Sequence, residues 1–265
     1  MDIKNLVNRI NVYDLMLFNL MVFSIIGMVS LGWKITLPQL AIAVLTAGIL
    51  DIVINYFITN RFELSKSGII TGFFVGLVLA NNQPWYVPLT ASAIAVIGKH
   101  IGNYFMKLLK QRGHVFNPAM AGVFLSVLIF KTTDGWWGAI NIFAVLILGL
   151  FLLYKFKRFH QIIPFLISYF IVLFLLELGF GDVSTYRYML VDSTLYFFAI
   201  FMFIEPVTSP NNLKGRVIYG IIGGIIVAVT MVFLPPYTLT AGLLICNLFV
   251  PFVNYFVNRT NSSPA

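Results

Sequence analysis

The chain has 265 residues, 60% of them hydrophobic and 10% charged, with a mean hydropathy of +0.93. Such a composition excludes a soluble domain and fits a polytopic membrane protein. The net charge of +8 does not point to nucleic acid, because the charges fall mostly in short gaps between apolar runs. A single cysteine, Cys246, excludes an intramolecular disulfide and any cysteine-ligated cluster or zinc site built from this chain alone, and no metal site is expected.

Residues 1–12 are largely polar and form an expected cytoplasmic segment. The first apolar run begins late and is followed by no small-residue cleavage site, so it reads as an uncleaved span. Ten apolar runs are predicted, at 13–32, 36–57, 68–81, 84–106, 116–131, 136–154, 161–180, 187–205, 216–234 and 237–257. A span needs about 20 residues to cross roughly 30 Å. The third run is short, and the eighth carries Asp192 and Ser193 near its start. The gaps leave no room for a separate soluble domain, and 258–265 forms a second cytoplasmic tail.

If every run crosses once from a cytoplasmic N-terminus, only Lys34, Lys131 and Arg187 of the 17 basic residues fall outside. That bias supports an inner-membrane protein with both termini cytoplasmic. Trp33, Trp85, Trp136 and Trp137 all land at outer ends, as an interfacial belt would require.

The run Thr71–Pro84 resembles Thr194–Pro206, each a short apolar stretch ended by polar residues and proline. Further on, Ala121–Leu125 echoes Ala241–Ile245 at a similar offset. The predicted fold is therefore all-α, with about ten transmembrane helices in two five-helix halves, 13–131 and 136–257. Five is odd, so the second half sits inverted, and the short or broken third and eighth helices mark a central site.

Within Phe203–Pro210 an apolar run stops at Glu205, Pro206, Thr208, Ser209 and Pro210. Proline ends or kinks a helix, and backbone freed at membrane depth persists only against protein or a wet cavity. Acids in spans are functional-site hypotheses, and Asp51 and Glu205 are the two expected to take part in transport. Asp14, Glu177 and Asp192 lie nearer the surfaces and read as structural. His100, His114 and His160 sit in or beside basic loops and read as interfacial. Asn117 can cap a helix opened by Pro118, whose unpaired N–H groups would seat a carbonyl or phosphate. Gly220, Gly223 and Gly224 follow no strand and read as packing glycines.

Taken in order, Phe116-Asn-Pro-Ala-Met-Ala-Gly122, Glu205-Pro-Val-Thr-Ser-Pro210 with Gly215-Arg216 and Tyr219-Gly220, and Asn247-Leu-Phe-Val-Pro251 carry a family signature. The chain resembles the D-type membrane subunit of the Rnf electron-transport complex and the related B-type subunit of the sodium-translocating NADH:quinone reductase. That resemblance implies flavin-linked electron transport coupled to ion movement, and partner membrane and iron–sulfur subunits. It implies a non-catalytic or electron-carrying subunit rather than a free-standing enzyme. The family usually reads Asp where Glu205 stands.

Members of the family usually esterify FMN to a threonine in a sequence like Asp-Gly-x-Ser-Gly-Ala-Thr. Here the stretch is Asp134-Gly-Trp-Trp-Gly-Ala-Ile140, with Ile140 at the threonine position. Isoleucine has no hydroxyl, so covalent FMN is not expected. A noncovalent flavin, riboflavin or FMN, remains as the expected cofactor, with Asn117, Pro118, Trp136, Trp137, Glu205, Thr208 and Ser209 as its candidate contacts. A second reading keeps the fold as a small-solute or ion transporter or channel with no redox role.

Overall fold

The computed structural model describes residues 10–108, 113–181 and 183–261. Most of the two end segments, and Lys110 and Arg112 of one basic loop, lie outside the described residues. The described chain is helical, and its single β-bridge pairs Leu79 with Asp134.

The first half contains α1 (Val12–Leu31), α2 (Trp33–Thr59), α3 (Lys66–Val78), α4 (Tyr86–Leu108) and α5 (Pro118–Phe130). The second contains α6 (Ile142–Phe156), α7 (Phe159–Phe180), the short α8 (Ser184–Met189), α9 (Ser193–Phe197), α10 (Leu213–Phe233) and α11 (Thr238–Asn261). Their ends have local causes. Asn11, Ser65, Asn117, Asn141, Asp192 and Asn212 each accept a backbone N–H at a helix start, satisfying one of the donors a helix leaves open. Lys131 and Lys157 close α5 and α6 in the left-handed conformation.

Five helices are long and apolar enough to cross a bilayer: α1, α2, α7, α10 and the 238–257 part of α11. Their outward faces carry exposed Ile25, Val29, Phe57, Ile167 and Phe252, as lipid contact requires. The protein is a multi-pass membrane protein.

Helix α4 follows the predicted 84–106 run, whereas the third, fifth and eighth runs differ. Helices α3 and α5 have 13 residues each, or roughly 20 Å, short of a full span. The eighth run, 187–205, is not one helix. It divides at Asp192, which caps α9 through the Thr194 N–H at 3.2 Å. After Phe197 the coil widens into a π turn over Phe198–Met202 and then stops. Extra residues in such a turn displace backbone groups from the regular ladder.

Helix α2 packs on α4 and α4 on α5, while α7 packs on α10 and α10 on α11. Close approach needs glycine: a Cβ on Gly122 would run into the Ala91 carbonyl oxygen, and one on Gly224 into Ser168 and the Phe165 carbonyl. The halves meet where α11 packs on α5 and α1 on α6. These contacts bring the start of α5 to the break after α9, and the start of α11 to the break after α3.

Candidate functional site: two helix breaks and a buried cavity

The break after α9 is held by side chains from other segments. Gln161 of α7 donates through Nε2 to the Phe203 carbonyl at 2.8 Å. Arg158 donates through Nη1 to Ser209 Oγ at 3.1 Å and to the Pro210 carbonyl at 3.0 Å. Ser209 Oγ in turn donates to the Glu205 carbonyl at 2.7 Å. Asn247 of α11 donates to the Thr208 carbonyl and Tyr219 Oη, both at 3.2 Å, and accepts the Asn117 N–H at 2.9 Å. The Phe203, Glu205, Thr208 and Pro210 carbonyls of the broken segment are thus paired inside the protein.

Glu205 is the centre of this arrangement. Its Oε2 accepts from Asn117 Nδ2 at 2.9 Å and Thr208 Oγ1 at 2.8 Å. Its Oε1 has His114 Nε2 at 3.7 Å, beyond an ordinary hydrogen bond. One carboxylate oxygen is fixed by two donors, and the other has only this distant imidazole among the described residues. Asn117 does two jobs at once, because its Oδ1 caps α5 at the Met120 N–H, 3.0 Å away.

A cavity of about 330 Å3 opens beside this carboxyl. Its polar lining is Ser67, Thr71, Lys99, His114, Asn117 and Glu205, and its apolar lining includes Phe74 and Phe201. Lys99 leads to a second charged group. Asp51 is fully buried, with Lys99 Nζ and His100 Nε2 each 2.6 Å from Oδ1 and the Ser65 hydroxyl on Oδ2. The carboxylate is compensated by cation and hydrogen bonds, as burial demands. The sequence places His100 in or beside an interfacial basic loop; the structure instead half-buries it against Asp51, because α4 continues through it.

The opposite break, after α3, is built alike. Gln39 of α2 donates to the Gly76 carbonyl at 3.1 Å and accepts the Gln83 N–H at 3.2 Å. The Val78 carbonyl accepts from the N–H groups of Gly135 and Trp136 at 2.8 and 3.0 Å. Asp134 reaches across to Thr240 in the first turn of α11, with Oγ1 at 3.3 Å. Burial pushes the Asp134 carboxyl up to about 6, against the lowering effect of hydrogen bonds from Trp136 and Thr240.

The sequence profile of the NQR2, RnfD, RnfE family matches residues 105–263. The chain belongs to that family. It is also 28% identical over 218 residues to the D subunit of the ion-translocating oxidoreductase complex of Methanosarcina acetivorans, covering 72% of this chain and 70% of that protein. The matched profile takes in Asn117, the Glu205 break, Tyr219 and Asn247, and starts after Asp51, Lys99 and His100.

For this family member, the structure brings together Asn117, Pro118, Glu205, Thr208 and Ser209 of the expected contacts. Thr208 and Ser209 are 2% exposed and direct their hydroxyls at Glu205. Trp136 and Trp137 stand apart, at the α3 break. They are not belt residues either: both are buried, whereas Trp33 and Trp85 are exposed. Trp137 Nε1 donates to the Gly76 carbonyl at 2.7 Å, and its ring occupies the space a Gly27 side chain would take. A flavin stacked on either indole would have to displace core packing. Ile140 is partly exposed and carries no nucleophile, so the residues present do not fit a phosphoester at that position.

Gln39, Gln161, Arg158 and Asn247 are the residues that sequence reasoning missed as site components. Their signal was an amide or guanidinium in or beside an apolar run, costly unless it meets a partner.

Two outcomes test these assignments. Lys99→Met should cost about 3 kcal/mol in unfolding free energy, since it strips a buried carboxylate of one cation; adding Asp51→Asn should recover most of that loss. A raised acid stabilises the fold fully only below its unfolded value of 3.8, and loses this contribution as pH rises through about 6. The melting temperature of the native protein should therefore fall, relative to Asp134→Asn, between pH 4 and pH 6.5. Parallel pH profiles would contradict the burial of that carboxyl.

Proposed function

We propose that this chain is the membrane-embedded D-type subunit of an ion-translocating oxidoreductase complex, working with other membrane and iron–sulfur subunits in the inner membrane. Its frame is two inverted five-helix halves, 13–131 and 136–257, with both termini cytoplasmic. Its relative's name and the family match support the complex. The matched helix breaks support the inversion.

The observation behind the ion-coupling role is the half-satisfied Glu205 carboxyl. Donors on Oε2 fix its orientation, and Oε1 has His114 Nε2, another group of the cavity lining, at 3.7 Å. A carboxylate oxygen in a cavity that also carries the Ser67 and Thr71 hydroxyls suits a proton or a small monovalent cation, since hard cations prefer oxygen donors. Asp51, tied up by Lys99 and His100, sets the field at the far wall and exchanges charge only if that pair opens.

Electron transport in this reading needs no covalent FMN on this chain. A noncovalent riboflavin or FMN would meet Asn117, Pro118 and Glu205 along the cavity, and it would supply one- and two-electron chemistry when bound. The second reading, a transporter or channel without redox role, draws on Ile140, which removes the one covalent redox attachment of the family's pattern.

The test is to isolate the complex through a tag on this chain and reconstitute it in liposomes. Glu205→Gln should leave assembly intact and lower donor-driven cation uptake at least tenfold, about the effect of losing 1.4 kcal/mol or more. A denaturing gel should show no flavin fluorescence at this chain's mass. Isolated chain that is colourless, lacks partners and passes a solute without any electron donor would overturn the redox reading in favour of the channel.

A further inference from the structure

Among the described residues, the ion pairs of lysine with carboxylate are Lys66–Asp14 and Lys99–Asp51, and imidazoles stand beside Asp51 and Glu205. None involves Arg158 or Arg216. Arg158 is 3% exposed. Its Nη1 meets Gln161 Oε1, Ser209 Oγ and the Pro210 carbonyl between 3.0 and 3.1 Å, and its Nε is buried with no partner among the described residues. Arg216 shares the Pro210 carbonyl through Nε at 3.3 Å and donates to the Lys157 and Asn211 carbonyls at 3.3 and 2.9 Å. Two guanidinium groups therefore converge on one carbonyl, with neutral oxygens around them and no carboxylate paired to either among the described residues.

That arrangement is electrostatically incomplete. Burial, and then repulsion from Arg216, lower the Arg158 value to about 10, which still leaves it charged at neutral pH. A buried cation normally has a counter-ion, and removing one from such a pair is strongly destabilising. Lys157, next in sequence to Arg158, and Lys214, two residues before Arg216, are both exposed. The loop between α6 and α7 and the start of α10 thus carry four cations, with Arg158 buried, Arg216 half-buried and both lysines exposed.

We propose that Arg158, Arg216, Lys157 and Lys214 bind a phosphate group, either in the headgroup of an anionic phospholipid or in a free phosphate. Guanidinium forks match phosphate oxygens, and basic pockets between transmembrane helices bind anionic headgroups. Half-buried Arg216 supplies the direct contact, with Arg158 behind it as the second charge. This assignment stands independently of the ion-coupling role of Glu205, although Ser209 links the two through the same loop.

The test is thermal unfolding of the purified full chain in two series. One compares nanodiscs of phosphatidylglycerol with nanodiscs of phosphatidylcholine; the other compares inorganic phosphate with chloride at equal ionic strength in detergent. A ligand present at several tens of times its dissociation constant should raise the midpoint by about 5 °C. A rise with phosphatidylglycerol alone assigns the lipid, and a rise with inorganic phosphate assigns the free anion. Arg216→Gln should abolish the rise. Should that variant fail to fold, the Lys157→Gln/Lys214→Gln double variant should reduce the rise at least twofold. No rise in either series, or a rise undiminished in the variants, would overturn the site and leave the arginines as a clamp on the loop.

Discussion

Peptide groups exposed by broken helices in a membrane must find partners within the protein, and the rest of this structure depends on that constraint. Two breaks, after α3 and after α9, release carbonyls from an otherwise self-satisfied helical frame. Gln39 and Trp137 serve the first, and Gln161, Arg158 and Asn247 the second. The two glutamines come from the second helix of each half and donate to the last turn before each break. This shared device is stronger support for a duplicated plan than similarity among apolar residues.

The same constraint explains where function is placed. Side chains recruited to pair backbone leave some polar atoms facing inward, and these create the environment a carboxylate needs. Glu205 is held by the cap of α5 and by a threonine three residues ahead, so its charge position is set by both halves. Asp134 mirrors it at the other break, held by a threonine in the first turn of α11. Each carboxyl sits between the broken helix of one half and a helix start of the other. A shift of the halves against each other would be felt at both sites.

Much of this was legible in the sequence. Helix positions followed from apolar runs, and Asn117-Pro118 and Glu205–Pro210 were visible as polar breaks because proline and acid are costly in lipid. What was not legible depended on tertiary direction. His100 and Lys99 are adjacent basic residues near a helix end, and only the packing of α4 beside α2 and α3 turns both onto Asp51. Trp136 and Trp137 have the composition of an interfacial belt, yet the 132–136 segment folds inward along Val78 and takes the indoles with it. The π turn at Phe198–Met202 has no local signature, since it arises where α9 must stop short of Glu205.

The central claim is that Asn117 and Glu205 act as one unit joining the two halves. A double-mutant cycle of Asn117→Ala and Glu205→Gln, followed by unfolding in detergent, measures it directly. A coupling free energy of about 1–3 kcal/mol is expected, the range for contacting residues in one network. Additivity to within about 0.5 kcal/mol would contradict it.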